Sequence, residues 1–224
     1  MNHPTNRFLP ENEAAELIST YTIPYPDHRL ASSPDEAARA AEAIGYPVVL
    51  KTVSPDVLHK SDVGGVVMDL QDPSEVYYAY ERMTSGILAR CPGATVSGAL
   101  VCKQEDDGVD VIIGGLRDAT FGPTVMFGLG GIFAEVLDDV AFRVAPVSER
   151  AAQELIHEIR GWKLLAGARG TEPCDIDGLA NAIVSVSRLM VEHPEVASLD
   201  LNPVRVLRAS VRALDARIEV EANV

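Results

Sequence analysis

Lys51 ends the apolar run PVVLK and is followed by TVSPDVLHKSDVGGVV, a loop holding His59, Gly64 and Gly65. A lysine beside glycines suits phosphate. The ammonium supplies charge, and residues without Cβ let backbone N–H groups approach oxyanions closely. A surface lysine beside a hairpin turn has the same spelling, and spacing alone leaves both open. No G-x-x-x-x-G-K-[ST] string occurs, so this is not a Walker A loop. His59 lies between Leu58 and Lys60. An imidazole nitrogen there is a competent phosphoryl acceptor near neutral pH, or else a solvated loop side chain. His3, His28, His157 and His193 have no comparable setting and read as structural or surface residues.

Two further strings carry chemistry. In FGPTVMFGLGG, residues 121–131, Gly128, Gly130 and Gly131 allow a backbone turn tight enough to touch a nucleotide, although such turns are common without a ligand. The C-terminal stretch SLDLNPVRVLRASVRALDARI reads as two strands joined near Arg208–Ser210, which sets Asn202 roughly opposite Asp215. Asp200 shares a face with Asn202 by the two-residue period. Two carboxylates and an amide carbonyl converging there make an oxygen-rich site suited to Mg²⁺ carrying phosphates. A polar hairpin face, with Arg217 neutralising Asp215, is the alternative.

These residues need elements to hold them. ENEAAELIST predicts a helix over 11–20, and TIPYPDHRLA, with two prolines, an irregular link. Ser33-Pro34-Asp35-Glu36 and Asp72-Pro73-Ser74-Glu75 each spell a helix start. The first helix runs to about Ile44 and stops at Gly45; the second runs to about Arg90. Strands are expected at 47–51, 64–70 and 95–103, with their relative directions open. The second half predicts strands at 109–114, 123–128, 132–137 and 140–145, helices at 148–160 and 177–192, and final strands at 197–207 and 211–218. The sum is an α+β protein of two lobes with a hinge near residues 101–108.

Composition narrows the function classes. The chain of 224 residues carries a net charge of −14 and 5% aromatics, which disfavours nonspecific nucleic-acid binding and base-stacking platforms. Cys91, Cys102 and Cys174 lie far apart, against a zinc knuckle or a disulfide scaffold. No apolar run approaches a membrane span and no signal sequence opens the chain, so no membrane partner and a cytoplasmic location are expected.

Taken in order, GYPVVLK, SPDVLHKSDVGGV, RDATFGPTVMFGLGGIFAEVLDDVAFRVAP, LLAGARG, LDLNPVRVL and DARI resemble one family over about residues 14–218. It is the ATP-grasp nucleotide-binding (β) subunit or domain of ADP-forming acyl-CoA synthetases, enzymes similar to succinyl-CoA ligase. The resemblance implies an ATP-grasp fold of two α+β lobes with nucleotide between them. Residues 26–102 would form the small lobe. Residues 1–25 would be a helix and link packed with the C-terminal lobe, 103–224. The family reaction, acyl-CoA + ADP + phosphate ⇌ acid + CoA + ATP, runs through acyl phosphate and phosphohistidine. Its cofactors would be ATP/ADP and Mg²⁺, and its partner a separate CoA-binding α subunit carrying the principal phosphorylated histidine.

Carried over by position, Lys51 would hold nucleotide phosphates, with Gly64 and Gly65 in the small-lobe loop. Asn202 and Asp215 would be Mg²⁺ ligands, with Asp200 beside the phosphohistidine or the metal. His59 matches the histidine proposed to relay phosphoryl between nucleotide and α subunit. Val101 and Lys103 fall on the hinge strand of the adenine pocket, and Arg169 and Glu135 are further matching positions. Two departures stand out. Asp110 replaces a usual glutamate that would reach the ribose or adenine side, shortening the reach by roughly 1.5 Å. The hinge reads Val101-Cys102-Lys103-Gln104 where the family is nearer V-Q-K-M. These changes fit an alternative, a regulatory ATP-grasp-like module without turnover; intact Lys51, His59, Asn202 and Asp215 fit catalysis. A carboxylate–amine ligase is disfavoured by the HKSD string.

Overall fold

The computed structural model describes residues 6–57, 60–130, 139–168 and 172–221. The chain divides into two compact units, one of residues 10–12 and 26–105, the other of residues 1–9, 13–25 and 106–224. The division falls after residue 105 rather than 102. Lys103 N still donates to Asp27 O at 2.7 Å and Gln104 N to Pro47 O at 3.1 Å, which keeps both residues in the smaller unit.

In chain order the elements begin with β1 (Arg7–Phe8), α1 (Glu11–Thr20), β2 (His28–Ala31), α2 (Pro34–Ile44) and β3 (Val48–Val53). A 3₁₀ turn at Ser61–Val63 precedes β4 (Val66–Leu70), α3 (Pro73–Arg90) and β5 (Gly98–Lys103). Then come β6 (Val109–Asp118), β7 (Gly122–Leu129), β8 (Val140–Val144), α4 (Glu149–Glu158), α5 (Trp162–Leu165) and α6 (Ile176–Glu192). The chain ends with β9 (Val196–Val206), β10 (Val211–Ala213) and β11 (Arg217–Val220). The expected strand at 132–137 lies outside the described residues.

The smaller unit is a sheet ordered β2-β5-β3-β4, all antiparallel, which settles the strand directions left open by the sequence. Helices α2 and α3 cover one face. Leu50 and Val101, directly opposite each other, join Ala37, Ala41, Val76 and Met83 in that core. The alternating residues turn to the other face, so Lys51 lies beside Leu100 there. Strand β2 falls where the sequence spells an irregular link. It is a short edge strand whose outward residues are polar or exposed, so it carries no apolar alternation to announce it.

Both helix starts work as spelled, with one shift. Ser33 accepts from Glu36 N at 3.2 Å and Asp72 accepts from Glu75 N at 2.9 Å. The two glutamates reach one residue further back than a standard capping box, to Ser32 N and Gln71 N, at 2.9 and 2.8 Å.

The larger unit is a sheet ordered β1-β11-β9-β6-β7-β8, with β10 also paired to β9. Helices α4 and α6 pack on one face, against β6, β7 and β8. Val111, Ile113, Phe127, Leu199 and Leu201 are buried beneath them. By alternation Asp200 and Asn202 face away from the helices, on the open side, together with the exposed Leu116 and Phe142. Among the described residues no helix is long and apolar enough to cross a membrane.

Removing the cap of α3 tests this construction. Asp72→Ala should cost about 1 kcal/mol, read as a lowered thermal midpoint with the far-UV circular-dichroism spectrum retained.

Candidate functional site

Strand β9 is paired along both edges, and its register determines what meets on the open face. Arg217 on β11 stands opposite Asp200, Ala213 on β10 opposite Val204, and Gly114 on β6 opposite Asp200 from the other side. Between β10 and β11 the chain leaves strand geometry at residues 214–216. Leu214 N still donates to Pro203 O at 2.8 Å, which keeps the register and leaves Asp215 facing Asn202. The sequence placed these two residues opposite each other, and the flanking pairs put them there.

Electrostatics agree with a convergence. Burial raises the pKa of Asp200, the nearby Asp215 charge raises it further, and Arg217 draws it down. Arg217 is not simply the neutraliser of Asp215: its guanidinium lies 4.4 Å over the Phe8 ring. Two carboxylates that repel each other beside an amide are a donor set that a hard divalent cation satisfies. Among the described residues no cluster of three His, Cys, Asp or Glu side chains is placed to hold a metal, so the set depends on the Asn202 amide or on ligand oxygens. Asp200 and Asn202 line a cleft of about 320 Å³. Ile112, Leu116, Met126 and Phe142 supply its apolar wall, and Gly114 keeps its floor low.

In the smaller unit Lys51 is buried on β3 and donates to Glu11 Oε1 at 2.7 Å. Lys60, at the start of the 3₁₀ turn, donates to the other oxygen of the same carboxylate. Glu11 is itself buried. Burial alone pushes its pKa up, but Lys51 and Lys60 outweigh that and hold it at about 2, from an ordinary 4.5. The sequence does not single out Glu11. It is one of three glutamates in ENEAAELIST, and no spacing marks it.

The two loop glycines do a different job from the one expected of them. Gly64 adopts φ 71°, and its N–H donates to Ser61 O at 3.2 Å; Gly65 N donates to Lys60 O at 2.6 Å. Both N–H groups are satisfied inside the turn rather than offered to a phosphate. Gly65 is needed for close approach, because a Cβ there would lie 2.7 Å from Thr52 Cγ2 and 2.9 Å from Lys60 O. It thereby presses the Lys60 turn onto β3, where Thr52 N donates to Gly65 O at 2.8 Å.

Three other expected positions are engaged elsewhere. Val101 is fully buried in the helix-side core, so its side chain cannot line a nucleotide pocket. On β5 it is Leu100 and Cys102 that share the Lys51 face. Lys103 donates to the carbonyls of Gly45 and Tyr46, at 3.1 and 2.6 Å. Asp110 is forked by Arg205, at 2.5 and 3.0 Å, a pairing the sequence does not reveal because β6–β9 adjacency is not spelled locally. Gly130 N donates to Asp110 O at 2.8 Å, and a Cβ on Gly130 would come within 3.0 Å of that backbone. Gly128 sits in mid-strand against β8, where Val140 leaves no room for a Cβ. His59, Gly131, Glu135 and Arg169 lie outside the described residues.

Comparison with known proteins gives a consistent result. The ATP-grasp domain family matches residues 2–220. The β subunit of acetate–CoA ligase [ADP-forming] I from Pyrococcus furiosus is 44% identical over 213 residues, covering 95% of this chain and 92% of that one. Acetate–CoA ligase [ADP-forming] I from Archaeoglobus fulgidus is 44% identical over 206 residues, 92% of this chain but 30% of that longer protein. The chain therefore spans under a third of some relatives and nearly all of others. Acetyl-coenzyme A synthetase 1 of Ca. Korarchaeum cryptofilum, solved with coenzyme A, Ca-AMPCP and HgCl⁺, superposes with a TM-score of 0.94 at 47% identity, covering 96% of this chain and 94% of that one. Another structure of that enzyme contains coenzyme A and Mg-AMPPCP, its phosphohistidine segment pointing towards the nucleotide binding site; the TM-score is 0.85 at 46% identity, with 96% and 93% covered.

Two measurements test the local geometry. Gly65→Ala should lower stability by about 1–3 kcal/mol in a thermal melt, because Thr52 or the Lys60 turn must shift. The folded pKa of Glu11 lies below its unfolded one, so its stabilisation is present above about pH 4.5 and is lost as pH falls towards 2. The shift corresponds to a contribution on the order of 3 kcal/mol. The stability gap between the wild type and Glu11→Gln should therefore narrow as pH drops through that window in parallel melts.

Proposed function

We propose a function from one premise: the chain belongs to the ATP-grasp domain family, alongside the β subunits and domains of ADP-forming acetate–CoA ligases. It is the nucleotide-binding subunit or domain of an ADP-forming acyl-CoA synthetase, acyl-CoA + ADP + phosphate ⇌ acid + CoA + ATP, working through phosphohistidine. The observation that supports this reading is the register that brings Asp200, Asn202 and Asp215 together on the open sheet face, a donor set suited to a hard divalent cation.

Phosphoryl transfer asks a protein mainly for positioning and charge neutralisation. Lys51 holds nucleotide phosphates. Asn202 and Asp215 hold Mg²⁺, which when bound supplies charge neutralisation at the phosphate oxygens. Asp200, whose ionised form is disfavoured by burial and by Asp215, favours a cationic or proton-bearing neighbour such as the metal or a protonated imidazole. His59 relays the phosphoryl group. Gly64 and Gly65 shape the turn that follows it, and Arg169 and Glu135 complete the site by their place in the resemblance.

The partner is a CoA-binding α subunit or domain. Support comes from the relatives: some are named as β subunits, and others are more than three times the length of the matched segment. The complex works in the cytoplasm, where Cys91, Cys102 and Cys174 remain free thiols.

Co-expression with a CoA-binding α subunit tests the proposal. The purified complex should form ATP from ADP and phosphate only when acyl-CoA is supplied. His59→Ala should cut that turnover by at least a hundredfold while Mg-nucleotide affinity stays within about threefold. Full turnover in the variant would remove His59 from the reaction. A complex without acyl-CoA-dependent ATP formation would leave the regulatory alternative.

A further inference from the structure

We infer that Arg217 is a phosphate-binding residue on the open sheet face, held by the Phe8 ring so that its guanidinium takes the terminal phosphate of Mg-ATP. This rests on the function proposed above and adds two residues to it, Arg217 as a ligand of the phosphate and Phe8 as the residue that positions it.

Asp200 on β9 and Arg217 on β11 stand directly opposite each other, so both side chains leave the same face of the sheet. Opposite charges at such a pair attract each other across the strands. This pair nevertheless stays open. Among the described residues the Asp200 carboxylate accepts no hydrogen bond and the Arg217 guanidinium forms no ion pair. Instead the guanidinium carbon lies 4.4 Å over the centre of the Phe8 ring. The other carboxylate on that face of β11, Glu219, is already engaged: Asn6 Nδ2 donates to it at 3.1 Å and Ser198 Oγ at 2.9 Å. A cation seated on a ring spends no N–H on it, so the donors of the guanidinium fork remain for a ligand. Phe8, on the edge strand β1, is 37% exposed, so its ring is not spent on the core.

Asn202 and Asp215, the metal-holding pair of the proposed function, lie two residues further along β9, roughly 7 Å away. A metal–oxygen bond of about 2 Å, a phosphate, and a charge-assisted hydrogen bond of about 3 Å fill such a gap. In the proposed function Asp200 faces the metal or a protonated imidazole, so the phosphate reached beside it is the terminal one. Two effects oppose each other there. Asp200 repels a phosphate and draws Arg217 towards itself. Arg217 attracts the phosphate and meets it with two parallel N–H groups, a geometry that a lysine does not offer. The Phe8 ring keeps the guanidinium off Asp200 and so decides between them. A ring contact that only fastened β1 to β11 would leave the preference between ATP and ADP untouched.

The test is calorimetric titration of Mg-ATP and of Mg-ADP into the full chain and into Arg217→Gln, Arg217→Lys, Phe8→Leu and Phe8→Tyr, each checked by circular dichroism and a thermal melt. Arg217→Gln should weaken Mg-ATP binding at least tenfold and Mg-ADP binding less than threefold. Arg217→Lys, which keeps the charge but not the fork, should recover part of that loss. Phe8→Leu should weaken Mg-ATP binding at least threefold, while Phe8→Tyr, which keeps the ring, should stay within twofold of the wild type. A folded Arg217→Gln that loses both nucleotides equally, or neither, overturns the assignment whatever its melting temperature. Should that variant fail to fold, an unchanged preference between the two nucleotides in Phe8→Leu overturns it instead. A wild-type chain that takes up neither nucleotide removes the proposed function and this inference together. A binding wild type beside unaffected variants removes only the inference.

Discussion

The larger unit depends on the double pairing of β9. With β6 on one edge and β10 and β11 on the other, this strand cannot slip without exposing Leu199, Leu201, Val204 and Val206, all buried. The same constraint that protects the core fixes Asp200 between Gly114 and Arg217, and holds Asn202 across from Asp215. Placing two carboxylates near each other is unfavourable by itself, and the pKa of Asp200 is raised by burial first and by the Asp215 charge second. The sheet tolerates that arrangement because the apolar packing behind it is extensive. Site and scaffold are two faces of one register.

The smaller unit solves an opposite problem, two cations close together. Its answer is covalently remote: Glu11, at the start of α1, closes a cluster whose other members lie 40 and 49 residues further along the chain. Around it, Gly65 contributes by lacking a side chain, and Leu50 and Val101 by filling the core on the reverse side of the sheet.

What the sequence reveals follows the range of its signals. The cap strings at Ser33 and Asp72 are local, and so are the helices they begin. The C-terminal hairpin is nearly local, so counting back from its turn is enough to set Asn202 opposite Asp215. Glu11 and Arg205 are not legible, because their partners are decided by non-adjacent strands and by a helix start distant in sequence. Val101 and Lys103 enter by resemblance, but alternation along β5 turns both side chains to the helix side, leaving Leu100 and Cys102 on the face of Lys51. Strand β2 escapes a local reading because an edge strand of four residues with little apolar alternation looks like a link. Gly64 and Gly65 do matter, but for a reason other than the expected one: they tighten the turn, and their N–H groups are used within it.

In the proposed function Asp200, Asn202 and Asp215 hold a metal that carries nucleotide phosphates. Its most direct test is the affinity of the wild-type chain for ATP with Mg²⁺ and with the metal chelated, set beside Asp215→Asn. Binding should fall at least tenfold without Mg²⁺ and equally in the variant, which then no longer responds to the metal. ATP affinity that is the same with and without Mg²⁺, or a variant that keeps the full metal response, would contradict it.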